Sequence, residues 1–217
     1  MSTYKGLIFD FNGTLFWDTQ YHNRAWDRFL KNHQIQLTDM EKTLKIHGKI
    51  NQDILRGLFN QNLSDMDMQA MILEKESIYQ TICLENKMEL APGAVSFLNL
   101  LDSQKIPFAI ATASEKINID FYKKHLQLDD WFNDDQIIYN DGTFRGKPHP
   151  DIFLKALRRI KINPEASIVF EDSLSGIQAA ENAGIGKIII VNSNQQDYGE
   201  LSYDIITNFK DVDINLF

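Results

Sequence analysis

Residues 9–15 read Phe9-Asp10-Phe11-Asn12-Gly13-Thr14-Leu15, directly after Leu7-Ile8. A short, uninterrupted apolar run is expected of a strand buried on both faces of a parallel sheet. An acid at the carboxyl end of the first such strand lies where open α/β sheets bind ligands, and Gly13 permits the tight turn that follows. Taken alone, the fragment reads equally as an acid in a strand-to-helix turn with ordinary Asn-Gly turn chemistry. The rest of the chain separates the two readings.

Further apolar runs of strand length occur at Phe108–Ala111, Ile137–Tyr139, Ile168–Phe170 and Lys187–Val191. Helical stripes lie between them. Val95, Phe97, Leu98 and Leu101 mark one; Ile152, Phe153, Ala156, Leu157 and Ile160 mark another, with Pro150 near its start. Leu174, Ile177 and Ala180 form a third, stopped by Gly184. This alternation predicts an α/β fold with a doubly wound parallel sheet, a Rossmann-like core. Residues 17–88 break it: they carry amphipathic helical patterns, such as Ile54, Leu55, Leu58 and Phe59, and Met68, Met71 and Ile72, and no convincing strand. An inserted all-helical cap domain is expected at 17–88, with residues 1–16 and 89–217 forming the core. Leu15–Trp17 and Leu90–Gly93 are the expected hinges.

The bulk numbers narrow the function classes. A 217-residue chain has room for a core and an inserted subdomain. Its net charge of -8 argues against nucleic acid or an anionic membrane as partner, since both call for a basic face. Cys83 is the one cysteine, so no intrachain disulfide forms. The opening residues Met1–Gly6 lack a signal-peptide pattern, and no apolar stretch approaches the ~20 residues that span a bilayer. A cytoplasmic protein, favoured as a monomer, is the expectation.

Three other segments stand at strand ends: Ala111-Thr112-Ala113-Ser114, Gly146-Lys147-Pro148-His149-Pro150-Asp151 and Phe170-Glu171-Asp172-Ser173. A doubly wound sheet brings them to one crevice with Asp10. Carboxylates held together repel one another without a cation. A hard, oxygen-seeking ion is therefore implied, and Mg2+ is the usual one beside a phosphate. His33, His125 and His149 show no zinc-ligand spacing.

In order and spacing, these four segments resemble the four motifs of the haloacid dehalogenase-like superfamily, over residues 4–15 and 92–207. The position of the insertion, and Tyr21-His22-Asn23-Arg24-Ala25-Trp26 within it, resemble the β-phosphoglucomutase-like branch, which carries a helical cap. The resemblance implies that Asp10 is a nucleophile forming an aspartyl-phosphate. It implies that Thr112, with the backbone of Ala113 and Ser114, binds the transferring phosphoryl group, and that Lys147 offsets its charge. Asp10, Asp172 and the main-chain carbonyl of Asn12 would hold the metal, with Glu171 acting through water. In the cap, His22, Lys49 and Lys75 are the expected substrate-facing residues, whereas Trp26 and the methionines at 66, 68 and 71 are expected to be packing. The implied substrate is a small phosphorylated metabolite, with sugar phosphates among the candidates.

Three positions depart from the pattern. The family usually has an aspartate general acid-base two residues after the nucleophile; here it is Asn12, and an amide cannot give and recover a proton near neutral pH. Asn51 stands where the mutase carries an arginine for the distal phosphate, and Glu115 stands where a lysine would follow the second motif. The departures favour a phosphatase over a mutase. They leave open a phosphatase that uses His22 or water for its proton chemistry, one acting on good leaving groups such as acyl phosphates or pyrophosphate, an introduced substitution, and a non-catalytic phosphate-binding protein. Hydrolytic dehalogenation is a poorer fit, because it leaves Glu171 and Asp172 without a metal to hold.

Overall fold

A computed structural model describes residues 4–46, 49–59 and 63–217, the side chains at positions 39 and 43 excepted. His47 and Gly48 of the cap segment, and the opening Met1–Thr3, lie outside the described residues. The chain divides into two compact units: residues up to Trp17 together with Glu89–Phe217, and Asp18–Met88.

The first unit is built on a six-stranded, wholly parallel sheet. In chain order its elements begin with β1 (Gly6–Phe9). The helical unit then contributes α1 (Thr19–Asn32), α2 (Asp39–Lys45), α3 (Asn51–Leu58) and α4 (Asp65–Leu84). The sheet unit resumes with α5 (Ala94–Ser103), β2 (Phe108–Glu115), α6 (Lys116–Leu126), β3 (Ile137–Asn140) and α7 (Asp151–Ile160). It ends with β4 (Ser167–Glu171), α8 (Leu174–Asn182), β5 (Lys187–Val191) and β6 (Asp204–Ile206). The strand order is β3-β2-β1-β4-β5-β6, the doubly wound arrangement expected from the alternating pattern. Its order reverses beside β1, which pairs with β2 through Phe9 opposite Ile110 and with β4 through Phe9 opposite Phe170.

The central strands are apolar throughout because both faces are covered. Leu7, Ile8, Phe9, Ile168, Val169 and Phe170 have no exposed surface, and burying each contributes roughly 1.5–3 kcal/mol. Phe9 stacks on Phe170 with ring centroids 5.0 Å apart and meets Phe97 edge-on at 6.1 Å. On the other face, Ile152, Phe153, Ala156 and Leu157 of α7 pack with Ile8 and Val169. The structure differs from expectation in two places. β2 runs on through Thr112–Glu115 with a register shift against β3, and β6 adds a short edge strand that no apolar run announces. Where the chain leaves and re-enters this unit, the Ala91 amide donates to the Leu15 carbonyl at 2.8 Å.

The helical unit has its own core of Trp26, Phe29, Leu30, Ile46, Ile54, Leu55, Met68 and Ile72. Met66 is 79% exposed and is not part of it: it lies in the first turn of α4 with acids on either side, on the solvent face. A capping box starts α2, in which Thr38 Oγ1 accepts from the Glu41 amide and Glu41 accepts from the Thr38 amide.

Candidate active site

Open α/β sheets bind ligands where strand order reverses, at the carboxyl ends of the strands. Here that point lies between β1 and β4. Asp10 follows β1 directly, anchored by its amide to the Phe170 carbonyl at 2.9 Å. Glu171 closes β4, and Asp172 and Ser173 lead into α8, where Ser173 Oγ caps the helix by accepting from the Gly176 amide. Lys147 comes from the segment between β3 and α7.

Lys147 ties these ends together. Its ammonium donates to Asp10 Oδ1 at 2.6 Å and to Glu171 Oε1, and lies 5.0 Å from the centre of the Phe153 ring. Burial opposes its charge, but the carboxylates of Asp10 and Glu171 outweigh that and hold the ammonium well above its ordinary pKa. The other oxygen of Glu171 accepts from the amides of Asp172 and Ser173 at 2.6 and 2.7 Å. Two glycines make room. A Cβ on Gly176 would collide with the Glu171 carboxylate. Gly13 has φ +82°, which other residues rarely adopt, and a Cβ there would collide with the Asp172 carboxylate.

Asp10, Glu171 and Asp172 each present a carboxylate oxygen, and the three lie within 4.8 Å of one another. Three carboxylates against the single ammonium of Lys147 leave an excess of two negative charges in a largely buried place. The donor set is all oxygen, which fits a hard cation such as magnesium or calcium rather than a thiophilic metal.

Beside this cluster lies a second one around Asn12. Its Oδ1 accepts from Ser114 Oγ at 2.8 Å and from Thr112 Oγ1 at 3.2 Å, and its Nδ2 donates to the Tyr122 hydroxyl at 2.8 Å. Thr112 Oγ1 also accepts from the Ser114 amide at 3.1 Å. Tyr122 is fully buried and packs against Phe11, ring centroids 4.6 Å apart. Ala113 is half-buried between Thr112 and Ser114 on β2. Nothing in the sequence singles out Tyr122. It falls on the apolar stripe of α6 with Ile119 and Leu126 and reads as core. Tyr198 is equally hidden from sequence: its hydroxyl donates to the Asp172 carbonyl at 2.6 Å, and burial, with the charges of Asp172 and Glu171, pushes its pKa up.

In the helical unit, His22 and Lys75 lie together. Lys75 Nζ is 3.0 Å from His22 Nδ1 and pairs with Glu76 Oε1 at 2.9 Å, and Asn51 Nδ2 donates to the same oxygen at 2.8 Å. His22 stacks on Tyr79 with centroids 3.9 Å apart and faces Asp18 with Nε2 at 3.3 Å. Asp18 precedes α1 but makes no side-chain cap; the Tyr79 hydroxyl donates to its carboxylate instead. Lys75 and Glu76 are each 2% exposed, whereas Lys49 is exposed. Trp26 is 3% exposed within the helical core.

The description "haloacid dehalogenase-like hydrolase" matches residues 4–184. This chain belongs to that family. Among its haloacid dehalogenase-like relatives, a fructose-1-phosphate phosphatase of Escherichia coli is 30% identical over 85% of this chain and 95% of that enzyme. A hexitol phosphatase of the same organism is 28% identical over 87% of this chain and 83% of that enzyme. A family IA haloacid dehalogenase-like hydrolase from Entamoeba histolytica has a crystal structure that superposes with a TM-score of 0.86. It is 34% identical, over 98% of this chain and 96% of that one. A β-phosphoglucomutase from Clostridium difficile shares the fold, with a TM-score of 0.79 at 24% identity over 97% and 94% of the two chains. The family and the α/β fold are thus the ones that the four strand-end segments pointed to. Among the described residues, no helix is long and apolar enough to cross a membrane.

Proposed function

We propose that this protein is a magnesium-dependent phosphatase of a small phosphorylated metabolite, acting through a phosphoryl group carried on Asp10. The observation that carries the reading is the buried Lys147 bridging Asp10 and Glu171, with Asp172 alongside. An ammonium so placed fixes the Asp10 carboxylate at the strand end through Oδ1 and offsets its charge as it approaches a phosphoryl group. Splitting the reaction at a covalent Asp10 intermediate replaces one difficult displacement with two easier ones. Thr112, with the backbone of Ala113 and Ser114, binds the phosphoryl oxygens, and Lys147 offsets their charge; most of the work is positioning and charge balance. Asp10, Asp172 and the main-chain carbonyl of Asn12, with Glu171 behind them, would hold magnesium, which when bound screens the phosphate from the acids. We assign substrate choice to His22 and Lys49 of the helical unit; Lys75, buried and paired with Glu76, braces His22 there. Asn51, committed to Glu76, offers no cation for a second phosphate, so hydrolysis is preferred to mutase chemistry. The relatives named as phosphatases of fructose 1-phosphate and hexitol phosphates favour small sugar or polyol phosphates as the first substrates to try.

Phosphate release from sugar phosphates, acyl phosphates and pyrophosphate tests this directly. Activity is expected to vanish with chelator, to return with magnesium, and to be absent in Asp10→Ala. Equal release by the parent and Asp10→Ala would overturn the assignment.

A further inference from the structure

We propose that this site takes its phosphoryl group from acyl phosphates, whose leaving group departs as a stable carboxylate, and that the phosphoryl group then persists on Asp10. The proposal rests on the phosphatase reading above and narrows its substrate class.

Its basis is the way the site's proton-bearing groups are committed. Asn12 is locked at both ends of its amide, by Ser114 and Thr112 at Oδ1 and by Tyr122 at Nδ2. That side chain can neither give a proton to a leaving oxygen nor take one from water. Glu171 has no exposed surface, and its oxygens accept from Lys147 and from the amides of Asp172 and Ser173. In the helical unit, His22 is held by Lys75 at one ring nitrogen and by Asp18 at the other. Two residues after Asp10, the site thus carries an amide that exchanges no proton.

The consequences differ between the two steps. In the first, an Asp10 oxygen bonds to phosphorus as the bond to the leaving oxygen breaks, and the electron pair goes to that oxygen. From an acyl phosphate the product is a carboxylate, whose conjugate acid titrates near ~4, so no proton is needed. From a sugar phosphate the product is an alkoxide, about as basic as hydroxide, whose conjugate acid titrates near ~16. In the second step water bonds to phosphorus, Asp10 leaves as a carboxylate and one water proton goes to solvent. Lacking a base, that step loses roughly 100- to 10,000-fold, and the phosphorylated protein accumulates.

The experiment uses the full chain in magnesium buffer with acetyl phosphate or glucose 6-phosphate, followed by intact mass and phosphate release. One phosphoryl group per chain is expected from acetyl phosphate and none with Asp10→Asn. Phosphorylation by acetyl phosphate should outpace that by the sugar phosphate by at least ~100-fold. Asn12→Asp places a carboxylate among three hydroxyls that can all donate to it. This variant is expected to clear the phosphorylated species and to narrow the preference to within a few-fold. Asn12→Ala, also without a proton to give, should keep the preference. Comparable turnover of both substrates by the parent, with no phosphorylated species, overturns this inference and leaves the phosphatase reading standing. Release that survives Asp10→Asn, or no phosphorylation and no release by either the parent or Asn12→Asp, overturns both.

Discussion

Among the described residues two lysines are buried, one in each unit, and their surroundings differ in a way that separates a site from a brace. Both are nearly inaccessible, and both lie near aromatic rings, Lys147 over Phe153 and Lys75 over Trp26 and Tyr79. Lys75 pairs with Glu76, its neighbour in the chain, and is joined by the neutral amide of Asn51 and by His22. Lys147 reaches across strand ends to two carboxylates, and a third lies beside them. The first arrangement is close to balanced within itself. The second is left negative and calls for a further cation. A buried polar cluster that satisfies itself serves the fold; one left with excess charge is prepared for a ligand.

The largest effect that tests this contrast is expected from Lys147→Met. Removing the ammonium strands Asp10 and Glu171 in a buried place, which costs about 3–5 kcal/mol, and it removes a charge aimed at the phosphoryl group, worth about 100- to 1,000-fold in turnover. Denaturant unfolding in chelator and phosphate release at saturating substrate measure the two. Magnesium should restore more stability to the variant than to the parent, because the cation takes over part of the charge balance.

Lys75→Met is expected to cost about 3 kcal/mol through the stranded Glu76. Adding Glu76→Gln should return more than half of that, since the charge needing a partner is gone. Thermal or urea unfolding of the two variants shows it. The contrast between site and brace breaks if Lys75→Met lowers turnover per folded molecule as far as Lys147→Met does.

The ends of the buried strands were legible in the sequence because their chemistry is local: an apolar run, then an acid or a hydroxyl. That places Asp10, Thr112, Glu171 and Asp172, and Lys147 follows from its place before α7. Contacts made across the fold were not legible. Tyr122 carries the same signal as any core aromatic of an amphipathic helix, so its bond to Asn12 is visible only once α6 packs on β2 and brings it to the turn after β1. Glu76 reads as a solvated acid, yet α4 also buries Met68, Ile72, Lys75, Tyr79, Ile82 and Cys83, too wide a spread for a clean polar face. The edge strand β6 is only three residues long, with Asp204 and Ile205 exposed, so no buried run marks it.

A smaller effect sharpens the site side of the comparison. Gly13→Ala puts a side chain at φ +82° and against the Asp172 carboxylate. The strain costs about 1–3 kcal/mol. Displacing Asp172 should raise the magnesium concentration for half-maximal activity by ~10-fold or more, as changes behind metal ligands do. A magnesium titration of phosphate release that matches the parent would mean that the space kept by Gly13 does not serve the acidic cluster.

The smallest effect comes from a third lysine that resembles the first two in chemistry but not in burial. Lys155 Nζ pairs with Asp141 at 2.6 Å and lies 5.0 Å from the centre of the Phe144 ring, with both paired side chains a third exposed. Burial tends to raise the Asp141 pKa, but Lys155 and the hydroxyl and amide of Thr143 overcome it and lower the value to about 2. A carboxyl whose folded pKa lies below its unfolded value adds stability that is complete above the unfolded pKa, near 3.8, and is lost as pH falls toward 2. Solvent screening at this exposure holds the pair to under ~1 kcal/mol. Asp141→Asn should therefore cost a few tenths of a kcal/mol at neutral pH, and the gap in urea unfolding should shrink as pH drops below about 4. If Asp141→Asn instead matched Lys75→Met in cost, burial would not be what makes the two interior lysines matter. Their aromatic neighbours and ion pairs, which Lys155 shares, would then account for the common cost.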